Sequence, residues 1–183
     1  MRLAGTLMLV GLLGNAALAQ RTKNEIVNAA PTPAGDSKAN SDQVPDVYSI
    51  SGRFERIVTL RFKYQADLLA GLEKMVKQEK IRNAVILSAF GSVRNYHVHV
   101  VSNRTFPSKN MFIKDSNTPA DIVGMSGYVM DGRLHPHIML ADADKMFGGH
   151  LEPGTNVFTF AVVTLGVLDD KADLTRLDDK TFR

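Results

Sequence analysis

The sequence predicts an α+β domain in which a mainly antiparallel β-sheet carries one packed helix. Two observations lead to this prediction. Several stretches alternate between apolar and polar residues with the period of a strand, and one stretch has the period of a helix. The chain of 183 residues has the length of one ordinary domain, and its composition of 44% hydrophobic and 22% charged residues is that of a globular protein.

The first half of the predicted domain contains a strand, the helix and a long apolar stretch. Residues 53–63 alternate between apolar and charged side chains, as a half-buried strand does. Residues 65–80 carry apolar side chains at helical spacing, and Asp67 is placed to cap this helix or to occupy its first turn. Residues 84–101 are mostly apolar and are broken at Gly91, which predicts two strands or one bent strand.

The second half of the domain is predicted to consist of strands joined by loops and a tight turn. Polar loops are expected over residues 102–118 and 142–153. Asp131 and Gly132 form a pair that is typical of a two-residue hairpin turn. The remaining β-rich segments predict strands at 121–130, 134–141 and 156–168.

The N-terminus has the pattern of a cleavable signal peptide over residues 1–19. A positive charge at Arg2 precedes an apolar run over residues 7–13, and Ala17 and Ala19 form a small-x-small cleavage site. The apolar run is too short to cross a bilayer comfortably, so the mature protein is expected to have no membrane span. This pattern predicts a periplasmic or secreted protein.

Two further segments are expected to lie outside the folded domain. Residues 20–47 contain three prolines and no sustained apolar period, which predicts a flexible linker. Residues 169–183 are mostly charged and predict a solvated polar tail. The domain itself is expected over residues 48–168.

Charge and cysteine content limit the possible functions. The formal net charge of +3 arises from nearly equal numbers of acidic and basic residues, so it is weak support for nucleic-acid binding. The chain has no cysteine, which excludes disulfides and thiolate metal ligands within it. Any metal site must therefore use histidine, carboxylate or water.

All five histidines fall in the predicted domain: His97 and His99 form one H-x-H pair, His135 and His137 form a second, and His150 follows two glycines. Alternate residues of a strand point to the same face, about 7 Å apart, so two such strands can direct several imidazoles at one volume. Imidazole is a common ligand of zinc, copper, nickel and iron. Three interpretations stay open: a metal site, a metal-free polar pocket, and histidines with a purely structural role.

Two other features bear on such a site. Nearby carboxylates that could complete it are Asp121, Asp142 and Asp144. Gly148 and Gly149 predict a tight turn with positive φ that delivers His150 to the site, although close approach of a ligand to the backbone is an alternative.

Four segments resemble the PPC (plants and prokaryotes conserved) domain family, of the stand-alone bacterial type. Residues 132–142, GRLHPHIMLAD, and 148–151, GGHL, resemble its paired-histidine and glycine-histidine signatures. Residues 89–93 and 121–127 resemble two of its strands. The resemblance covers about residues 53–168.

The resemblance implies a homotrimer built on a mainly antiparallel sheet with a helix. It also implies that this chain shares the histidines at which some prokaryotic members carry metal. The expected cofactor is a divalent metal ion, with zinc as the first candidate. Plant members carry DNA-binding AT-hooks, and this chain has none. The residues that match the family histidines are His135, His137 and His150.

Other candidate ligands come from the residues of this chain alone. His97 and His99 lie outside the family pattern and are predicted as added ligands or proton carriers, with Asp121 as a possible carboxylate ligand. Asp121 stands where many members have Glu, and Ala161 also replaces a common Glu. These departures put any Glu-dependent role of the family in doubt for this chain.

The sequence therefore leaves three alternative hypotheses for the function. The first is an exported protein with a histidine-rich metal- or small-ligand-binding site, in which a bound zinc could activate water. The second is a DNA-binding or regulatory module, against which the signal peptide and the low net charge argue. The third is a trimeric assembly module without chemistry.

Overall fold

The computed structural model of the protein describes residues 24–26, 45–103 and 107–177. All strand pairs in these segments are antiparallel, and one helix packs against the sheet. The predicted α+β class is confirmed. The elements in chain order are β1 Asn24–Ile26, β2 Phe54–Phe62, α1 Leu68–Gln78, β3 Ala84–Val101, β4 Asn110–Asp115, β5 Ala120–Met130, β6 Arg133–Ala141, β7 Met146–Leu151 and β8 Asn156–Leu168.

Strand β3 organises the sheet because it pairs with four other strands. Its first part pairs with β5 and β8, and its last part pairs with β4 and β7. Strands β5, β6 and β7 pair in succession, so β3, β5, β6 and β7 close into a ring. Strand β2 extends the sheet beyond β8, and β1 extends it beyond β4. This closure decides which side chains meet at the site.

The long apolar stretch is one continuous strand, the second of the two predicted alternatives. Gly91 has φ +130°, a backbone conformation that favours glycine. A Cβ atom at this position would overlap the backbone of Phe160 in β8. Glycine therefore lets β3 bend while it keeps its pairing with β8.

The predicted cap of the helix is confirmed at Asp67. Its Oδ1 accepts a hydrogen bond of 2.9 Å from the backbone N–H of Ala70, and its Oδ2 accepts one of 2.6 Å from the N–H of Gly154. One carboxylate thus caps α1 and ties it to the turn before β8. Leu68 and Leu72 are fully buried under the sheet, and such burial contributes about 1.5–3 kcal/mol for each side chain.

The predicted hairpin turn is also confirmed. Asp131 and Gly132 both have positive φ, 50° and 78°, as a tight turn between twisted strands requires. The turn sets the register of β5 against β6 and places Ser126 directly opposite His137. The hairpin therefore positions one side of the histidine site.

The two predicted loops each contain a strand that the sequence analysis did not identify. Residues 102–118 include β4, and residues 142–153 include β7. Both strands are only six residues long, and their pairing with β3 comes from the tertiary fold. Short segments of this kind lack a clear period in the sequence.

The prediction of a tight turn at Gly148 and Gly149 is wrong, because both residues lie within β7 and neither has positive φ. A Cβ at Gly148 would overlap the carbonyl oxygen of Ile138, and one at Gly149 would overlap that of His99. The two glycines therefore allow β7 to approach β6 and β3 closely.

The two ends of the chain are described only in part. The predicted signal peptide, residues 1–19, lies outside the described residues, as does most of the predicted linker, although β1 falls within the linker range. The solvated-tail prediction needs correction, because Ala172 and Leu174 are buried beside Met130. Within the described segments, no helix is both long and apolar enough to span a membrane.

Candidate metal centre

The strand register places three histidines in one row across the ring. His150 in β7 lies opposite His99 in β3 on one side and opposite His137 in β6 on the other. His135 is two residues from His137 and shares its face of β6. The row forms because β7 pairs with both of its neighbours, which the closed arrangement of strands requires.

The imidazole rings of this row and that of His135 lie close together. We call His99, His135, His137 and His150 the histidine cluster. The rings of His135 and His137 stack with centroids 5.3 Å apart. The ring of His150 lies 4.9 Å from that of His135 and 5.5 Å from that of His137. On its other side His150 stacks on His99 at 4.6 Å. His99, His135 and His150 are half-buried, and His137 is the most exposed residue of the four.

Glu152, which the sequence analysis did not identify, adds a carboxylate to the cluster. Its Oε1 lies 2.5 Å from Nδ1 of His99 and 3.7 Å from Nδ1 of His150. One ligand atom each from His99, His150 and Glu152 lies within 4.8 Å of the others, a grouping that could hold a metal ion. The signal in the sequence is its i+2 spacing from His150, which indicates the same face if the strand continues.

The hydrogen-bond partners indicate which ring nitrogens carry the protons. Nδ1 of His99 faces the Glu152 carboxylate, and Nδ1 of His150 lies 3.1 Å from the carbonyl oxygen of Leu151. Both partners are acceptors, so in the neutral rings the proton belongs on Nδ1 and the lone pair on Nε2. In both rings the lone pair that could bind a metal is therefore on Nε2.

The distance between two Nε2 atoms fits a shared ion. Nε2 of His135 lies 3.3 Å from Nε2 of His137. Two ligands of one tetrahedral zinc, each about 2.0–2.1 Å from it, lie roughly 3.3 Å apart. An imidazole pair at this spacing can bind one ion or share a hydrogen bond.

The cluster favours the neutral form of its histidines. Partial burial lowers the pKa of His137 from its ordinary value, and the positive charges of His135 and His99 lower it further. Burial also lowers the pKa of His150, again with help from His99 and His135, while Glu152 opposes the shift. Neutral imidazole is the form that binds metals, so the cluster disfavours protons that compete with an ion.

Two predicted ligands lie apart from the cluster. His97 directs Nδ1 to the carbonyl oxygen of Pro153, at 2.9 Å, and its ring lies 5.7 Å from that of Phe112. Asp121 is exposed and pairs with Ala141, four residues along β6 from His137, which corresponds to about 13 Å.

The other two acidic candidates have a structural task. The Oδ1 atom of Asp142 accepts hydrogen bonds of 2.9 Å from the backbone N–H groups of Asp144 and Lys145. Asp142 thereby stabilises the turn between β6 and β7, which is remote from the row of histidines. Carboxylate chemistry at the cluster therefore comes from Glu152 alone among the described acidic residues.

The chain spans only about a sixth of the length of the two curated relatives that it matches. It is 27% identical over 111 residues to the bifunctional protein GlmU of Synechococcus sp. strain JA-3-3Ab and 28% identical over 119 residues to that of strain JA-2-3B'a(2-13). The match covers 60% of this chain in both cases but only 17% and 16% of the relatives.

Three solved structures have a similar fold, each at low sequence identity. A metal-containing protein from Archaeoglobus fulgidus matches with a TM-score of 0.56 and 22% identity over 70% of this chain and 96% of its own. A plant- and prokaryote-conserved protein from Pyrococcus horikoshii matches with a TM-score of 0.55 and 21% identity over 67% of this chain and 85% of its own. A candidate DNA-binding protein from Bacteroides thetaiotaomicron matches with a TM-score of 0.51 and 16% identity over 68% of this chain and 86% of its own.

The family assignment follows from the sequence itself. The profile of the Plants and Prokaryotes Conserved (PCC) domain matches residues 49–169, which is more than half of the chain. The match includes the whole histidine cluster and Glu152. The chain therefore belongs to the Plants and Prokaryotes Conserved (PCC) domain family.

Proposed function

We propose that this protein binds a divalent metal ion, with zinc as the expected ion, at the histidine cluster. The observation that carries the proposal is the separation of 3.3 Å between Nε2 of His135 and Nε2 of His137, beside the ring of His150. Nitrogen ligands suit zinc, and the chain offers no thiolate that would compete for the ion.

The three ligands in this proposal are the histidines that match the family signature, His135, His137 and His150. The similar protein from Archaeoglobus fulgidus is metal-containing, which supports a metal site in a protein of this fold. Three imidazoles leave the fourth position of a tetrahedral ion for water or a small ligand. A bound zinc would supply Lewis acidity at that position, and the protein residues would hold and orient it.

Glu152 and His99 have a positioning role in this arrangement. The 2.5 Å between Oε1 of Glu152 and Nδ1 of His99 is shorter than the roughly 3.3 Å between two ligands of one tetrahedral ion. This pair is therefore a hydrogen bond, and Glu152 also lies near Nδ1 of His150. The carboxylate fixes the ring of His99, which stacks on the ligand His150, and its negative charge beside His150 favours a bound cation.

Elemental analysis of untagged protein, purified without added metal, tests the proposal. We expect close to one zinc per chain in the wild type and its loss in His135→Ala and His137→Ala. His97→Ala is the matched control, because His97 lies on a strand of the same ring but faces Pro153 and Phe112. Absence of metal in the wild type, with no uptake of added zinc, nickel or copper, would refute the metal function.

The assembly is proposed to be a homotrimer, as the family resemblance implies. Support comes from an uncovered apolar face on β2, β3 and β8, where Phe90 and Phe160 stack edge to face at 6.2 Å. Exposed apolar patches of this kind often mark protein interfaces. Sedimentation equilibrium should give three chains, and Phe90→Asp should give monomers. The exposed residues of this face include Ile57, Leu87, Phe90, Phe158 and Phe160.

Export is proposed from the signal-peptide pattern of residues 1–19. Expression of the full chain in a Gram-negative host, followed by fractionation and N-terminal sequencing, tests it. A mature periplasmic protein that begins at Gln20 is expected. An intact Met1 in the cytoplasm would contradict the proposal.

DNA binding is the second candidate function. It is favoured by the candidate DNA-binding relative and by two arginines stacked on aromatic rings of the exposed face, Arg61 over Phe160 at 5.5 Å and Arg94 over Tyr64 at 5.6 Å. Fluorescence anisotropy with duplex and single-stranded DNA at two salt concentrations tests it. Salt-dependent binding that Arg61→Ala and Arg94→Ala weaken would support it. A trimer interface on the same face would compete with this function.

A further inference from the structure

A groove of about 360 Å³ opens beside the histidine cluster, on strands β5, β6 and β7. Two neighbouring rows of the sheet form it. Ser126 and His137 are paired in one row, and Gly124, Met139 and Gly148 are paired in the next. His137 thus belongs both to the cluster and to the wall of the groove, so a molecule in the groove lies next to the proposed metal.

The lining of the groove is mainly apolar. The exposed side chain of Met139 supplies apolar surface beside the glycines, and the hydroxyl of Ser126 and the imidazole of His137 supply the polar groups. Met125 and Ile138 border the groove, but they alternate with these residues along their strands, and their buried side chains belong to the core. No Lys, Arg, Asp or Glu takes part in the lining. A volume of this size is at the lower end of the range for small-molecule sites.

Gly124 lies at the register shift of β5 against β6 and keeps the groove open, although no steric contact excludes a side chain there. A Cβ at Gly124 would meet nothing within 4 Å, and its φ lies outside the left-handed region. Gly148, in contrast, is required by the close approach of Ile138. Glycine inside a strand is common at a β-bulge, and at this bulge the missing side chain leaves room for a ligand to approach the backbone.

We propose that this groove binds the uncharged apolar part of a small ligand whose oxygen or nitrogen donor occupies the open position of the metal. The proposal rests on the proposed function, because the ion anchors the donor end of the ligand. Met139, which is 47% exposed, packs against the apolar part of the ligand, and the hydroxyl of Ser126 is placed to hydrogen-bond near the donor end. The ligand class is therefore a small molecule with an uncharged, apolar body and one metal-binding group.

Cobalt(II)-loaded protein provides the test, because the visible absorption of cobalt reports ligand exchange. The probes are acetohydroxamate and benzohydroxamate, which share a metal-binding group and differ by a phenyl ring in place of a methyl group. We expect the wild type to bind benzohydroxamate about tenfold more tightly, since the ring is partly buried in the groove. Gly124→Leu should abolish this preference and leave the affinities for cobalt and acetohydroxamate unchanged.

The matched control is Val123→Leu, which enlarges the exposed neighbour of Gly124 outside the groove and should keep the preference. Met139→Ala removes one apolar wall and should reduce the preference severalfold, which provides a second test if Gly124→Leu fails to fold. A normal cobalt spectrum without a preference for benzohydroxamate, or a preference that survives both groove variants, would overturn the groove proposal alone. Absence of any cobalt spectrum would overturn the metal function and the groove proposal together.

Discussion

The carboxylate of Glu152 lies 2.5 Å from Nδ1 of His99, although these residues are 53 positions apart in the sequence. The contact exists because β3 and β7 pair, which sets His99 opposite His150, and because Glu152 follows His150 by two residues. A half-buried carboxylate hydrogen-bonded to an imidazole holds the ring in one orientation.

Removal of the carboxylate should weaken metal binding without abolishing it. Glu152→Ala is expected to lower the zinc affinity about 10- to 100-fold, because His99, which stacks on His150, loses the acceptor of its Nδ1–H and the negative charge beside His150 is removed. Competition with a chromophoric chelator measures the affinity. Glu152→Gln, which keeps an oxygen acceptor, should retain more affinity than Glu152→Ala. Equal zinc affinity in all three proteins would contradict the positioning role.

The stability of the metal-free protein should fall as the pH decreases through the histidine range. The pKa values of His137 and His150 are lowered in the folded state by burial and by neighbouring histidines. The unfolded chain therefore binds more protons than the folded chain below about pH 6.5, and acid favours unfolding. The stability that the neutral His137 and His150 give the folded state is fully present above their unfolded pKa. It is lost as the pH falls toward their lower pKa values in the folded state.

Urea unfolding of the metal-free protein between pH 5 and pH 7.5 measures this effect. The double variant His137→Asn, His150→Asn should show a smaller loss of unfolding free energy across this interval, because it lacks both groups. The variant with His97→Asn serves as the comparison, since His97 lies outside the cluster. An unchanged pH dependence in the double variant would show that these two histidines do not cause the loss.

A side chain at Gly149 should separate β7 from β3. Gly149→Ala places a Cβ against the carbonyl oxygen of His99, so we expect a loss of about 1–3 kcal/mol in the free energy of unfolding. The same change at Gly124, where the Cβ meets open space, should cost less than about 1 kcal/mol. Urea titrations of both variants measure the difference. Similar losses in both would refute the close-approach explanation.

Loss of the helix cap should destabilise the fold. Asp67→Ala removes the acceptor for the N–H groups of Ala70 and Gly154, and we expect a cost of about 0.5–2 kcal/mol. Asp67→Asn keeps one carbonyl oxygen and should cost less. Thermal or urea unfolding provides the measurement. If both variants cost the same, the hydrogen bonds of the carboxylate are not the source of the effect.

The elements with a clear local signal were predicted well. The helical spacing of residues 65–80, the cap at Asp67 and the Asp131-Gly132 turn are confirmed because each depends on residues close together in the chain. The alternation of the long strands is likewise a local property. The two six-residue strands were expected as loops, since their pairing with β3 supplies the order that their own sequence does not.

The same difference between local and long-range information applies to the histidine site. The H-x-H spacing and the family signature identified His135, His137 and His150 as a group, because alternate residues of a strand share a face whatever the sheet topology. His97 and His99 have the same spacing, yet the structure brings only His99 to the cluster. Asp121 was expected near the cluster and lies about 13 Å along the strand instead.

The sequence by itself determined the α+β class, the family, and the histidines that lie on common strand faces, because these depend on period, turn chemistry and short motifs. Only the tertiary structure decided that β3, β5, β6 and β7 close into a ring, that Glu152 contacts His99, and that Gly124 borders a groove. These features depend on register between strands distant in the chain. A tight turn sets the register of a hairpin, but the register between strands distant in the chain depends on the packing of the whole sheet, which no single local pattern encodes.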